Sequence, residues 1–146
     1  MNKKSKILKL SLLILLLSSM CIFSQIRNFN DIPKNILKDL DKMGVDDSPF
    51  LNNYESAFLN VIFKDKLKGF DFTMKKIGFI RNGGKGKVLY FEMQRKYTID
   101  KNSPCDNGTL YIFNTTQKTE SGGYDAAIVY WNKIVIPIDK VIKKLK

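Results

Sequence analysis

The segment DAAIVYW, residues 125–131, is the strongest constraint on what this chain can fold into. After Asp125 it is apolar at every position and contains neither proline nor glycine. An uninterrupted apolar run is typical of a β-strand covered on both faces, because a half-exposed strand alternates polar and apolar residues. The sequence therefore predicts a sheet with packing elements on both sides.

Three other segments predict strands. Residues 76–81 are largely apolar and end at Arg81, and TLYIF at 109–113 follows the turn signal Asp106-Asn107-Gly108. A brief strand at 134–136 is also expected. Each segment is short, as is usual for the strands of a small sheet.

Helical periodicity accounts for much of the remaining chain. Apolar residues recur at helical spacing within 31–43 and again from Phe50 to about Lys66. Ser48 is the expected N-cap of the second of these helices. Pro137 opens a C-terminal helix that has apolar residues on one side and lysines on the other. Two helices are thus expected before the sheet and one after it.

The segment 87–99, KVLYFEMQRKYTI, permits two interpretations. As a helix it pairs Glu92 with Arg95, and as a strand it follows Asn82-Gly83, a good hairpin turn. The helix is favoured because the C-terminal half then alternates β-α-β-β-α, which is typical of helices packed on a sheet. We expect an α/β domain with a small, mostly parallel or mixed sheet of three to four strands covered by helices.

The N-terminus predicts export. Four lysines precede an apolar stretch from Leu10 to Leu17, which is too short to span a bilayer, and small residues follow. This pattern is typical of a Sec-type signal peptide over residues 1–24, cleaved between Ser24 and Gln25. Residues 25–146 would then form a single periplasmic or secreted domain, of a size that can build one core.

Two alternatives to this cleavage remain open. The chain could be processed before Cys21 and lipid-anchored there, although Met20 fits poorly where a lipoprotein signal has glycine or alanine. The leader could also stay uncleaved as an N-terminal anchor. In the cleaved chain Cys105 is the one cysteine, so no disulfide can form within it.

The chain is basic, with 25 Lys and Arg against 14 Asp and Glu. Removal of the four leader lysines lowers the formal charge from +11 to +7. A basic surface attracts an anionic ligand, an envelope component or an acidic protein, and export argues against genomic nucleic acid as the partner. Scattered lysines are also the ordinary composition of a solvated surface.

The chain has no histidine, which excludes many chemistries. Ser-His-Asp and Cys-His catalysis, histidine-liganded zinc and thiolate metal clusters all require residues that the chain lacks. We therefore expect no metal, no cofactor and no catalytic residue. A pair of carboxylates in a small hydrolase or transferase is the alternative.

The stretch FIRNGGKGKV, residues 79–88, resembles a phosphate-binding loop only superficially. Arg81 and Val88 stand where GxxxxGK[ST] needs Gly and Ser or Thr, and Leu89 stands where GxGxxG needs its last glycine. Glycines between a strand and a helix can still expose N–H groups to an anion. In parallel sheets, ligands bind beyond the carboxyl ends of the strands.

These considerations predict an anion-binding strand-end rim, if the three main strands run parallel. Its residues are Arg81, Asn82, Gly83, Gly84, Lys85, Lys87, Asn114, Thr115, Trp131 and Lys133. The favoured function is an exported, non-enzymatic binding or interaction domain with a basic face for an anionic or protein partner. An inhibitor or immunity-type protein is a further alternative, since it needs no catalytic groups.

Overall fold

The computed structural model describes residues 32–40, 43, 48–81, 84–105, 107–131 and 135–146, so the predicted leader lies outside it. The elements in chain order are helices α1 (Lys34–Lys38) and α2 (Asn53–Ile62), a 3-10 turn (Lys64–Lys66), strands β1 (Ile77–Arg81) and β2 (Gly84–Lys85), helix α3 (Lys87–Lys101), strand β3 (Gly108–Ile112), helix α4 (Thr115–Glu120), strand β4 (Ala126–Tyr130) and helix α5 (Ile138–Leu145).

The strands form one mixed sheet in the order β2-β1-β4-β3. The central strands β1 and β4 run parallel, with Ile77 opposite Ala126 and Arg81 opposite Tyr130. β2 pairs antiparallel with β1, and β3 pairs antiparallel with β4. The predicted α/β class, a small sheet covered by helices, is confirmed.

The direction of β3 differs from the parallel arrangement on which the strand-end rim depends. The N–H of Phe113 donates to the carbonyl of Asp125 at 3.0 Å, so the ladder between β3 and β4 continues beyond both strands. Only residues 114–124 remain to connect them. Such a connection is too short to carry the chain back for a parallel crossover, and the strands reverse instead.

Side chains of β4 alternate between two apolar layers, as the sequence predicts for a fully covered strand. All five residues of β4 are buried. Ala126, Ile128 and Tyr130 pack with a core that includes residues of α1, α2 and α3. On the other face, Ala127 and Val129 pack with Val141 and Leu145 of α5.

α5 approaches β1 most closely at Gly78. A Cβ atom at this position would lie 2.1 Å from Cδ2 of Leu145 and 3.3 Å from its Cγ. These distances are well below van der Waals contact, so the absence of a side chain at Gly78 lets the Leu145 side chain of α5 pack directly on β1. None of the helices in the described ranges is long and apolar enough to cross a membrane.

Several element boundaries differ from the predictions. α2 begins at Asn53 rather than near Ser48, because Asn52 and Glu55 form a reciprocal capping box. The segment 87–99 is helical, as favoured, and its helix α3 is the longest described. Residues 135–136 of the predicted strand at 134–136 are not in a strand, and residue 134 lies outside the described ranges.

Candidate functional site

The parallel pairing of β1 and β4 brings two of the predicted rim residues together. Arg81 ends β1 opposite Tyr130, and Trp131 is the next residue after β4. The guanidinium carbon of Arg81 lies 4.2 Å from the centroid of the Trp131 ring. This is a cation–π contact, which attracts a guanidinium to an indole face and restricts both side chains.

The backbone at Trp131 adopts an uncommon conformation. Its φ is 58°, in the left-handed region that non-glycine residues seldom occupy. Its N–H donates to the carbonyl of Asn107 at 3.1 Å, which holds the residue beside the start of β3. The side chain remains 39% exposed, an unusual position for the only tryptophan of the chain.

Trp131 and one side of α3 line an open groove of about 570 Å³, which we call the Trp131 groove. Its apolar lining comes from Leu89, Met93 and Tyr97, which are spaced four residues apart and so follow one stripe of α3. The charged residues that line it are Glu92, Lys96, Asp100 and Lys101. The groove thus combines an apolar surface with charges of both signs.

The glycine stretch beside this groove is used for structure. Gly84 pairs with Arg81, and Lys85 pairs with Ile80, to form β2. The N–H of Gly86 donates to the carbonyl of Phe79 at 3.2 Å, and its carbonyl accepts from the Tyr130 hydroxyl at 3.0 Å. The N–H of Gly86 is therefore already engaged rather than presented to an anion. Asn82, Gly83 and Lys133 lie outside the described residues.

Lys87 does not lie on the rim, contrary to the prediction. Its side chain is only 3% exposed, and its ammonium donates to Glu55 at 3.0 Å and to the Phe50 carbonyl at 3.1 Å. Glu55 is fully buried. As the first residue of α3, Lys87 points towards α2, where a carboxylate neutralises it.

Asn114 and Thr115 lie at the opposite end of the sheet from Arg81 and Trp131. Because β3 is antiparallel to β4, its carboxyl end meets the start of β4, where Ile112 is paired with Ala126. Asn114 forms a reciprocal capping box with Gln117 and begins α4. These two residues are therefore part of a helix cap and not of the strand-end rim.

Asp125, which precedes β4, is a carboxylate held by two hydrogen bonds. It accepts hydrogen bonds from the Lys118 ammonium at 2.6 Å and from the Lys76 N–H at 2.8 Å. Burial raises the pKa of this carboxyl, but these hydrogen bonds and the nearby lysine charges outweigh burial and lower the pKa overall. A carboxylate held ionised in this way joins elements and is poorly suited to act as a general acid.

The pKa of the exposed Asp71 carboxyl is also lowered, first by the N–H of Thr73 and then by the Asn60 amide. Within the described ranges, no group of three or more Cys, Asp and Glu residues could hold a metal ion.

The groove residues of α3 were not predicted as site residues. The stripe of Leu89, Met93 and Tyr97 is visible in the sequence as a four-residue repeat, but local spacing does not show which stripe of a helix other elements cover. Tyr90 and Phe91, on adjacent stripes, are completely buried against the sheet. Met93 of the groove stripe is also buried, whereas Leu89 is 38% exposed, and only the three-dimensional packing shows this difference.

A family model matches residues 47–146, a span that includes every strand and the helices α2 to α5. Its description is "Domain of unknown function (DUF8192)". The chain belongs to this family. The DUF8192 match therefore covers both Arg81 and Trp131 and the whole described lining of the groove. No curated protein and no solved structure matches the chain significantly.

Proposed function

We propose that this DUF8192 protein is an exported, non-enzymatic binding domain that holds a segment of a partner protein in the Trp131 groove. The observation that carries the proposal is the half-exposed Trp131 stacked against Arg81. Tryptophan, tyrosine and arginine are the residues that most often dominate protein–protein binding energy. Here Trp131 and Tyr97 line one groove, and Arg81 lies against the ring of Trp131.

The charges at the groove favour a polypeptide over a polyanion. Glu92 and Asp100 place negative charge among Lys96 and Lys101, so a uniformly anionic chain would meet repulsion as well as attraction. A protein segment can match such an arrangement, with an apolar side chain against Leu89 and Tyr97 and charges of both signs outside. An inhibitor or immunity-type protein would be a special case of this function.

The groove residues fit a carboxylate-dependent enzyme less well than they fit a binding domain. Glu92 and Asp100 are eight positions apart on α3, which separates their Cα atoms by about 12 Å along the helix axis. Carboxylate pairs in glycoside hydrolases stand about 5–9.5 Å apart. Both side chains are also exposed to solvent.

The export part of the proposal rests on the leader sequence. Expression of the full-length gene should yield a chain that starts at Gln25, and mass spectrometry of the purified protein measures this directly. A diacylated Cys21 would contradict cleavage after Ser24 and indicate a lipid anchor. A chain that retains Met1 to Ser24 would contradict both forms of processing.

Site-specific photo-crosslinking tests the groove in living cells. A photoreactive phenylalanine analogue at Leu89 should give a discrete adduct with one protein, and adding Trp131→Ala should remove that adduct. The same analogue at Met74, which is 86% exposed and outside the groove, is the matched control. The crosslinked partner peptide should carry an apolar residue flanked by charges of both signs.

The fluorescence of Trp131 distinguishes a protein partner from a polyanion, because the indole is the only one in the chain. Binding of the crosslinked peptide should shift its emission to shorter wavelength as water leaves the groove. Heparin and phosphatidylglycerol vesicles should leave the spectrum unchanged. A shift with heparin or vesicles and none with the peptide would show that the groove binds an anionic ligand.

A further inference from the structure

The two edges of the sheet are built differently. β2 forms one edge and comprises only Gly84–Lys85. β3 forms the other edge over Gly108–Ile112, and within the described part of the chain its one neighbour is β4. Short strands protect an edge from pairing with other chains, so β2 is protected by its length and β3 is not.

The hydrogen bonds at both ends of β3 show which of its backbone groups face outwards. The Asn107 carbonyl accepts from Trp131, and the Phe113 N–H donates to Asp125, so these two residues face β4. Backbone groups alternate in direction along an antiparallel strand. The N–H and C=O groups of Gly108, Leu110 and Ile112 therefore point away from the sheet. We call these three residues the β3 edge.

The β3 edge lacks the devices that usually prevent pairing. Residues 107–117 contain no charged residue and no proline, although the chain as a whole carries 25 Lys and Arg. Exposed edges of monomeric proteins commonly carry lysine, proline or a bulge. Ile112, an apolar β-branched residue, is 36% exposed at this edge.

We propose that a second copy of this chain pairs with the β3 edge, antiparallel and about a twofold axis at Leu110. This register places Leu110 opposite its own copy, and Gly108 of each chain opposite Ile112 of the other. Each outward-facing residue then meets an outward-facing residue, so every outward N–H and C=O of the three positions finds a partner. A two-chain, eight-stranded sheet results.

Side-chain shape supports the same register. Residues opposite each other in an antiparallel pair project from the same face of the sheet. A Cβ at Gly108 would lie 3.4 Å from Cζ of Phe63, so the ring itself covers the glycine. Ile112 of the second copy lies opposite Gly108 and packs against the edge of this ring.

Charge supports a second copy at this edge in particular. Two chains of the same net positive charge repel one another, and this repulsion is smallest where the paired regions carry no charge. The uncharged run 107–117 brings no lysine of one copy opposite a lysine of the other along the paired strands. The self-matching register distinguishes this pairing from capture of an unrelated extended peptide.

Sedimentation equilibrium of protein purified from the full-length gene tests the proposal. A concentration-dependent dimer is expected, and Ile112→Lys should weaken it about tenfold or more by placing a charge against Phe63 of the other copy. The matched control is Val135→Lys, at an apolar residue that is 73% exposed and outside β3. A monomer at all concentrations, or a dimer that Ile112→Lys leaves unchanged, overturns the proposal.

A cysteine crosslink tests the register independently of these variants. Cα atoms of a hydrogen-bonded antiparallel pair are about 5.5 Å apart, which a disulfide can span. Under mild oxidation Leu110→Cys should therefore form a covalent dimer, measured by non-reducing electrophoresis. Thr116→Cys, on the exposed surface of α4, should not exceed the background of the unsubstituted chain. Equal crosslinking at both positions overturns the proposed pairing.

Discussion

The ammonium of Lys87 lies 3.0 Å from a carboxylate oxygen of Glu55, and the two side chains are 3% and 0% exposed. Lys87 begins α3, while Glu55 completes the capping box of α2. One buried ion pair therefore joins the starts of two helices that cover the same face of the sheet. Lys87, which was predicted to bind an anion, is instead a structural residue.

Removal of one partner should destabilise the fold strongly. Lys87→Met leaves the Glu55 carboxylate buried without its cation, and we expect the free energy of unfolding to fall by about 3–5 kcal/mol. The double variant Glu55→Gln/Lys87→Met should recover a large part of this loss, because no uncompensated charge remains. Urea denaturation followed by circular dichroism measures both. Lys96→Met, at an exposed position of α3, should change stability by less than about 0.5 kcal/mol.

The contact between Gly78 and Leu145 should also be visible in stability. Gly78→Ala must displace the buried Leu145 side chain from its place on β1 and should lower the free energy of unfolding by about 1–3 kcal/mol. Leu145→Ala removes the atoms that collide, so Gly78→Ala should be less destabilising in that background than alone. A double-mutant cycle by urea denaturation gives this coupling. Strictly additive losses would show that the close approach does not constrain the packing.

Asp125 should make the stability of the protein depend on acidity. Its pKa is lowered below the ordinary value of 3.8 in the folded chain, so the ionised carboxylate stabilises the fold above that pH. This contribution is lost as the pH falls through the lowered pKa. Asp125→Asn should thus be less stable than the unsubstituted chain at neutral pH, with a difference that shrinks in acid. Lys118→Met should show part of the same effect, and an undiminished difference in acid would contradict it.

At position 131 we expect a glycine variant to be more stable than an alanine variant. Because φ is 58°, Trp131→Gly should be about 1 kcal/mol more stable than Trp131→Ala, although both variants lose the contact with Arg81. Thermal or urea denaturation measures the difference. The opposite sign is expected at Lys96, an exposed residue in the interior of α3, where Lys96→Gly should be about 1 kcal/mol less stable than Lys96→Ala.

The central elements of the fold were predictable because their signals are local. The apolar run at 125–131 specifies a doubly covered strand, and β4 is buried at all five positions. The direction of β3 was not predictable in this way. It depends on a hydrogen bond between Phe113 and Asp125 and on left-handed glycines at 122 and 123, none of which the strand sequences reveal.

Of the candidate site, the sequence predicted Arg81 and Trp131, because each lies at the end of a predicted strand. Arg81 and Trp131 come together because β1 and β4 are parallel and in register. The position of Lys87 depends on Glu55, a residue far away in the sequence, and no local spacing indicates that partnership. The groove likewise depends on which residues of α3 the rest of the protein covers, since Leu89 is partly exposed whereas Met93 on the same stripe is buried.

The order of the strands also constrains how the chain can assemble. β3 and β4 are separated by the short connection 114–124, whereas β1 must meet β4 across the whole of α3, β3 and α4. Closing the shorter loop loses less chain entropy and should occur first. The aromatic contacts among Phe79, Tyr90 and Tyr130 then form only when β1 reaches β4, so we expect completion of the core to follow the pairing of β3 with β4.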